Sequence, residues 1–175
     1  MLVSIGLQAA PMMDFEVSKA DSSVSVTEEG WNVGEPIAEL SSSLDNRSFS
    51  LAEGQSESFD FFDVTVPDTG FGADTKVEAT LAFAQPDDVS GSGVGKGYWG
   101  SFLGFISGGK LNWESQPGKI VTSNGSEFSL HFENLKGLDL DTSHTVEATV
   151  TAKTLAQVPE PRTLALLGLG LVGLA

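Results

Sequence analysis

Three segments of the chain alternate regularly between apolar and polar side chains. Their apolar positions are Val77, Ala79, Leu81 and Phe83 in the first segment, Phe128, Leu130 and Phe132 in the second, and Val146, Ala148, Val150 and Ala152 in the third. A period of two with one polar side is typical of antiparallel strands that bury one face and expose the other. These three segments therefore predict half-buried strands.

Shorter or less regular versions of this pattern precede the first of these segments. Residues 14–29 predict an early edge strand, and residues 37–40 predict a short strand. We expect residues 48–51 to pair with residues 58–66 across the polar turn at residues 53–57.

The alternation changes phase within one of these predicted strands. Phe59 and Phe61 share one phase, whereas Phe62, Val64 and Val66 share the other. One extra residue in a strand produces a β-bulge, which reorients the side chains that follow it. The phase change therefore predicts a bulge in this strand.

The second half of the chain contains further strand candidates. They lie at residues 98–106, 110–114 and 119–122, and Gly108-Gly109 separates the first two. Asn124-Gly125, just before an alternating segment, predicts a tight hairpin turn.

The whole pattern favours an all-β fold. Before Pro159 no amphipathic helical pattern extends beyond two turns. Roughly nine or ten short strands predict an antiparallel β-sandwich, with a jelly roll as one candidate topology. The length fits one such domain, over residues 14–157.

Composition removes several function classes. The formal net charge is -15, with 24 acidic and 9 basic residues. We expect no nucleic-acid partner, because binding to phosphates requires a basic surface. The chain contains no cysteine, which excludes a disulfide framework, a thiolate metal site and a cysteine nucleophile.

The first ten residues have an apolar stretch followed by small residues. They predict the tail of a secretory signal peptide, with cleavage after Ala10. An ordinary first strand or a frayed terminus is the alternative interpretation of the same residues.

Two prolines followed by an uncharged apolar run distinguish the carboxyl-terminal segment. Pro159 and Pro161 fix φ and remove backbone donors, so Val158-Pro159-Glu160-Pro161 predicts a stiff, extended connector. Residues 164–175 predict a hydrophobic helix of roughly 18 Å, against about 30 Å for the hydrocarbon core of a bilayer. The leucines of this run are Leu164, Leu166, Leu167, Leu169, Leu171 and Leu174.

This combination of motif and apolar run resembles the PEP-CTERM protein-sorting signal. The resemblance implies export through the inner membrane, transient anchoring there, and recognition of the Pro-Glu-Pro motif by a membrane-embedded exosortase. It also implies a final location at the cell surface or outside the cell, with extracellular polysaccharide as a potential partner. The family pattern closes with a few arginines, which do not follow Ala175. We therefore expect the natural chain to continue beyond this residue.

Acidic motifs suggest two kinds of chemistry. Asp68-Thr69-Gly70 is similar to the catalytic loop of aspartic proteases, and Asp141-Thr142-Ser143 is a poor second copy. Asp139, Asp141 and Ser143, and separately Asp87-Asp88, offer oxygen ligands suited to calcium. The EF-hand spacing is absent, so solvated turns are the favoured interpretation of all these residues.

Two glycine-rich stretches are similar to nucleotide-binding loops. Residues 91–97 fail the phosphate-loop pattern at two positions, so we interpret them as a flexible loop. Residues 168–173 match G-x-G-x-x-G, but no acidic residue follows about twenty positions later, so we discard this match.

Histidines and aromatic residues supply the remaining candidates. His131 and His144 have no nucleophile nearby in sequence, so a catalytic triad has no support. Four aromatic residues could form a platform for sugars, although core packing explains them equally well. They are Trp31, Tyr98, Trp99 and Trp113.

Two hypotheses follow from these observations. The leading hypothesis is an exported, non-enzymatic envelope or matrix protein with no catalytic residue, metal site or cofactor. The alternative is a secreted β-sandwich module that binds carbohydrate or calcium.

Overall fold

The computed structural model describes residues 10–29, 32–67, 71–102 and 106–156, and these form twelve β-strands. The first six strands are β1 (Met12–Glu28), β2 (Asn32–Val33), β3 (Ile37–Leu40), β4 (Ser48–Ala52), β5 (Ser56–Val66) and β6 (Phe71–Gln85). The other six are β7 (Val89–Phe102), β8 (Ile106–Ser115), β9 (Gly118–Val121), β10 (Glu127–Phe132), β11 (Leu135–Lys136) and β12 (Thr142–Thr154). Within these ranges the helical structure is one 3-10 turn, Ser42–Leu44.

The strands form two curled antiparallel sheets. The first sheet has the order β11-β8-β7-β6-β1-β4, with β2 also paired to β6. The second sheet has the order β3-β5-β12-β10-β9. The predicted all-β, antiparallel fold is confirmed. The order departs from a jelly roll, which has two Greek keys, because β6, β7 and β8 follow one another as a meander in one sheet.

Aromatic side chains join the two sheets across a shared core. Phe15 of the first sheet meets Phe128 of the second edge to face, with ring centroids 5.1 Å apart. Phe83 also contacts Phe128, at 5.5 Å. Such pairs contribute about 0.5–1.5 kcal/mol each beyond the area that they bury.

The three alternating segments form β6, β10 and β12, and their apolar positions are buried as predicted. The phase change corresponds to a bulge in β5. Val146 of β12 pairs with Phe62, but the next residue, Glu147, pairs with Asp60. Phe61 is therefore the extra residue, and both Phe61 and Phe62 are fully buried.

The prediction that residues 14–29 form an edge strand is wrong only for the start of the segment. β4 pairs with residues 12–16 of β1, whereas over residues 17–28 β6 is the only strand paired with β1 in the described part of the chain. Its polar middle is an irregularity: the register with β6 shifts between Ser18 and Ser23. The buried hydroxyl of Ser22 fills this gap, since it donates to the Ser18 carbonyl and accepts from the Ala82 N–H.

The prediction that residues 48–51 pair with residues 58–66 is wrong, although both segments are strands. β4 pairs with β1, and β5 belongs to the other sheet. The connection between them is bonded to β12 instead of closing a hairpin. Gly54 N donates to the Ala152 carbonyl at 2.9 Å, and Ala152 N donates to the Gln55 carbonyl at 3.0 Å.

The glycine-rich residues 91–97 are not a flexible loop, because they lie inside β7. Their inward positions face large side chains of the second sheet. A Cβ on Gly91 would lie 2.8 Å from Leu130 Cδ2, and one on Gly93 would lie 3.0 Å from Phe132 Cδ2. Glycine is therefore a packing requirement here. Similarly, Gly108-Gly109 lies within β8 and does not separate two strands.

Candidate functional sites

The last residues of the sandwich are held firmly. β12 lies between β5 and β10 at the centre of the second sheet. After it, Leu155 is buried in the core, and Ala156 N donates to Ser126 Oγ at 3.0 Å. The folded unit therefore includes the chain up to Ala156, and the residues that follow continue from the central strand of the second sheet.

The predicted sorting and membrane residues follow this point and lie outside the described residues, as does the predicted carboxyl-terminal helix. They are Val158, Pro159, Glu160, Pro161, Leu164, Leu166, Leu167, Leu169, Leu171 and Leu174. In residues 10–156, as far as they are described, no helix is long and apolar enough to cross a membrane. Residues 1–9 of the predicted signal peptide also lie outside the described part, so that segment stays a prediction.

The structure does not assemble the aromatic platform. Trp99 and Trp113 are only 6% and 9% exposed and point into the core. The indole N–H of Trp113 donates to the Glu133 carbonyl at 2.8 Å. Tyr98 is 39% exposed on the outer face, and Trp31 lies outside the described residues. Core packing is therefore the role of the two tryptophans whose positions are known.

The acidic candidates do not converge in the described part of the chain, where no group of three or more metal-binding side chains occurs. Asp68 lies outside that part. Asp87 accepts a hydrogen bond from the Ser123 backbone N–H, which lowers the pKa of its carboxyl below the ordinary value of 3.8. This bond joins the turn after β6 to the turn after β9, so Asp87 has a structural contact.

The two histidines lie on neighbouring strands but at different positions along the strand direction. His131 of β10 is opposite Thr149 of β12. His144, which is opposite Val64, lies five residues before Thr149 on β12, so the two histidines are displaced by about 17 Å along the sheet. His144 Nε2 lies 3.2 Å from the Asp139 carbonyl. The two imidazoles therefore cannot act on one substrate atom.

Sequence analysis did not identify a cationic row on the outer face of the first sheet. Tyr98 pairs with Lys110, and Lys110 pairs with Lys136, across β7, β8 and β11. Directly opposite residues of antiparallel strands share one face. Tyr98 and Lys136 are 38 residues apart in the sequence, so local patterns give no signal for this arrangement.

Comparison with protein families concerns the segment after Ala156. The family model of the PEP-CTERM protein-sorting motif matches residues 157–175. These residues are a PEP-CTERM motif. No curated protein and no solved structure is significantly similar to the chain.

The PEP-CTERM motif contains all four residues of the predicted sorting motif and the six leucines of the apolar run. It implies exosortase-dependent sorting of an exported protein through a membrane-anchored intermediate. The match begins one residue beyond Ala156, where the described sandwich ends. The chain is thus organised as a β-rich cargo followed directly by its sorting motif.

Proposed function

We propose that this protein is an exported, non-enzymatic component of the cell envelope or extracellular matrix. An exosortase recognises Pro159-Glu160-Pro161 while residues 164–175 insert transiently in the inner membrane, and the β-sandwich is delivered to the cell surface. The PEP-CTERM match carries this proposal.

The chemistry of the motif supports recognition as an extended peptide. Each proline favours an extended conformation in the residue that precedes it, so Val158 and Glu160 are held away from helical geometry. An apolar run that enters lipid must satisfy its backbone hydrogen bonds internally, which a helix would achieve. In this proposal, the proline-containing segment then meets the membrane-embedded enzyme at the membrane surface.

Triple replacement of Pro159, Glu160 and Pro161 by alanine tests the proposal. We expect the variant to remain at its unprocessed mass in the membrane fraction, because alanine restores helical freedom and removes the carboxylate. Immunoblots of membrane, surface and medium fractions, together with intact mass measurement, would report the outcome.

The chain offers a matched control in Glu35-Pro36, which lies before β3 in the sandwich. Replacement of both by alanine alters the same residue types outside the motif and should leave processing and location as in the wild type, apart from the small mass change of the substitutions themselves. If the triple variant is processed and located like the wild type, the proposal is wrong.

A further inference from the structure

The outer face of the first sheet carries four lysines in two adjacent rows. Lys110 and Lys136 form one row with Tyr98, and Lys76 and Lys96 pair in the next row. Neighbouring strands lie about 4.8 Å apart, and two residues along a strand cover about 7 Å. The four lysines lie on four successive strands, so their backbone positions are anchored within an area of roughly 14 by 7 Å.

The two rows differ in how their charges are balanced. Lys76 Nζ lies 2.9 Å from Glu78 Oε1, and Lys96 Nζ lies 3.7 Å from Glu114 Oε1. Among the described residues, Lys110 and Lys136 have no carboxylate within 4.0 Å. This face is locally cationic on a chain whose net charge is -15.

The row also has an aromatic member. Lys110 Nζ lies 5.1 Å from the centroid of the Tyr98 ring, and the ring remains 39% exposed. Tyrosine combines apolar contact area with a hydroxyl group, which suits surfaces that bind ligands with both apolar and polar faces.

We propose that Tyr98, Lys110 and Lys136 form a binding site for a strand of acidic polysaccharide. Carboxylates of the polymer lie against the two ammonium groups, and a sugar ring packs against the exposed part of Tyr98. The proposal concerns the sandwich alone and does not depend on processing of the PEP-CTERM motif.

The charge distribution favours this ligand over other polyanions. Duplex DNA carries one charge per about 1.7 Å of axis, so many phosphates would face the acidic remainder of the surface. A flat anionic bilayer would meet the same repulsion over a wide area. A single polymer strand with about one carboxylate per sugar can follow the row and avoid the acidic faces.

The arrangement of Lys110 and Lys136 is costly to the fold, since like charges directly opposite in a sheet are destabilising. A ligand carboxylate between them would relieve that repulsion. Replacing both by glutamine should therefore raise the thermal unfolding midpoint while it weakens binding. If Lys110 and Lys136 had a purely structural role, the variant with both replaced by glutamine would bind as tightly as the wild type.

Binding of polygalacturonate to the full chain at low salt tests the site, with dextran as the uncharged control polymer. We expect the Lys110→Gln/Lys136→Gln variant to lose affinity by about tenfold, which corresponds to about 1.4 kcal/mol. Tyr98→Ala should weaken binding in the same direction. The matched control is Lys119→Gln/Lys153→Gln, which makes the same charge change on β9 and β12 of the other sheet and should keep wild-type affinity.

Absence of binding to polygalacturonate would overturn the proposal, as would an equal loss in both double variants. Tighter binding of a duplex oligonucleotide or of anionic phospholipid vesicles than of polygalacturonate would overturn the assigned class of ligand.

Discussion

Two glycines of β7 differ in how much space their surroundings leave for a side chain. At Gly93, an added Cβ would lie 3.0 Å from both Phe132 Cδ2 and the backbone carbonyl of Ser115. At Gly97, the nearest atom would be the Thr75 carbonyl oxygen, 3.6 Å away. Gly97 borders a cavity of about 20 Å³ that Thr75 and Trp99 also line. Glycine is therefore required at position 93 and replaceable four residues later.

Alanine at the two positions should give opposite results. Gly93→Ala should lower the free energy of unfolding by about 1–3 kcal/mol, because the backbone carbonyl of Ser115 cannot move aside cheaply. Gly97→Ala should be neutral or raise it by about 0.4–1 kcal/mol, since alanine restricts the unfolded chain and fills open space. Urea unfolding of both variants measures the difference. Equal destabilisation would contradict the packing account.

At the scale of single strands and turns, contacts between elements distant in sequence decide the architecture. The alternation of β6, β10 and β12 is visible in the sequence because each strand buries one face throughout. The partner of β4 is not visible there. Phe49 of β4 stacks on Phe15 of β1 with ring centroids 5.0 Å apart, and nothing in the local sequence distinguishes this pairing from a hairpin with β5.

The contact between Asp87 and Ser123 yields a prediction about pH. The carboxylate form is favoured in the folded state, so the contact stabilises the fold above the ordinary pKa of 3.8. That stabilisation disappears as the pH falls through the lowered pKa of the folded state. Asp87→Asn should therefore be less stable than the wild type near neutral pH, and the difference should shrink below pH 3.8.

Urea unfolding at several pH values would follow this difference. Asp88→Asn removes the same charge from the adjacent position and serves as the control. A difference between wild type and Asp87→Asn that persists unchanged at the lowest pH would rule out the carboxylate as its cause.

For the whole molecule, the sandwich and the PEP-CTERM motif should be energetically separate. Removal of residues 157–175 is expected to change the free energy of unfolding by no more than about 0.5 kcal/mol. Leu155→Ala should cost about 2 kcal/mol or more, because Leu155 packs into the core. Thermal and urea unfolding compare the two. A truncation as damaging as Leu155→Ala would mean that the folded unit extends beyond Ala156.

Sequence alone identified the β-rich class and the sorting motif, because both rest on patterns within short segments. The two adjacent rows that contain the lysines could not be found in this way. Lys76, Lys96, Lys110 and Lys136 lie on four strands, and only the register between those strands brings them together. The tryptophans illustrate the converse, since their type suggested a surface role but their phase in the strands turns them inward.

The position of β12 has a mechanical consequence. A pulling force transmitted through Ala156 along the axis of β12 would act on a strand that is bonded to β5 on one side and β10 on the other. Those hydrogen bonds would be loaded together in shear instead of being peeled one at a time from an edge. A tether at this end would therefore resist extraction of the sandwich far better than one attached to β4 or β9.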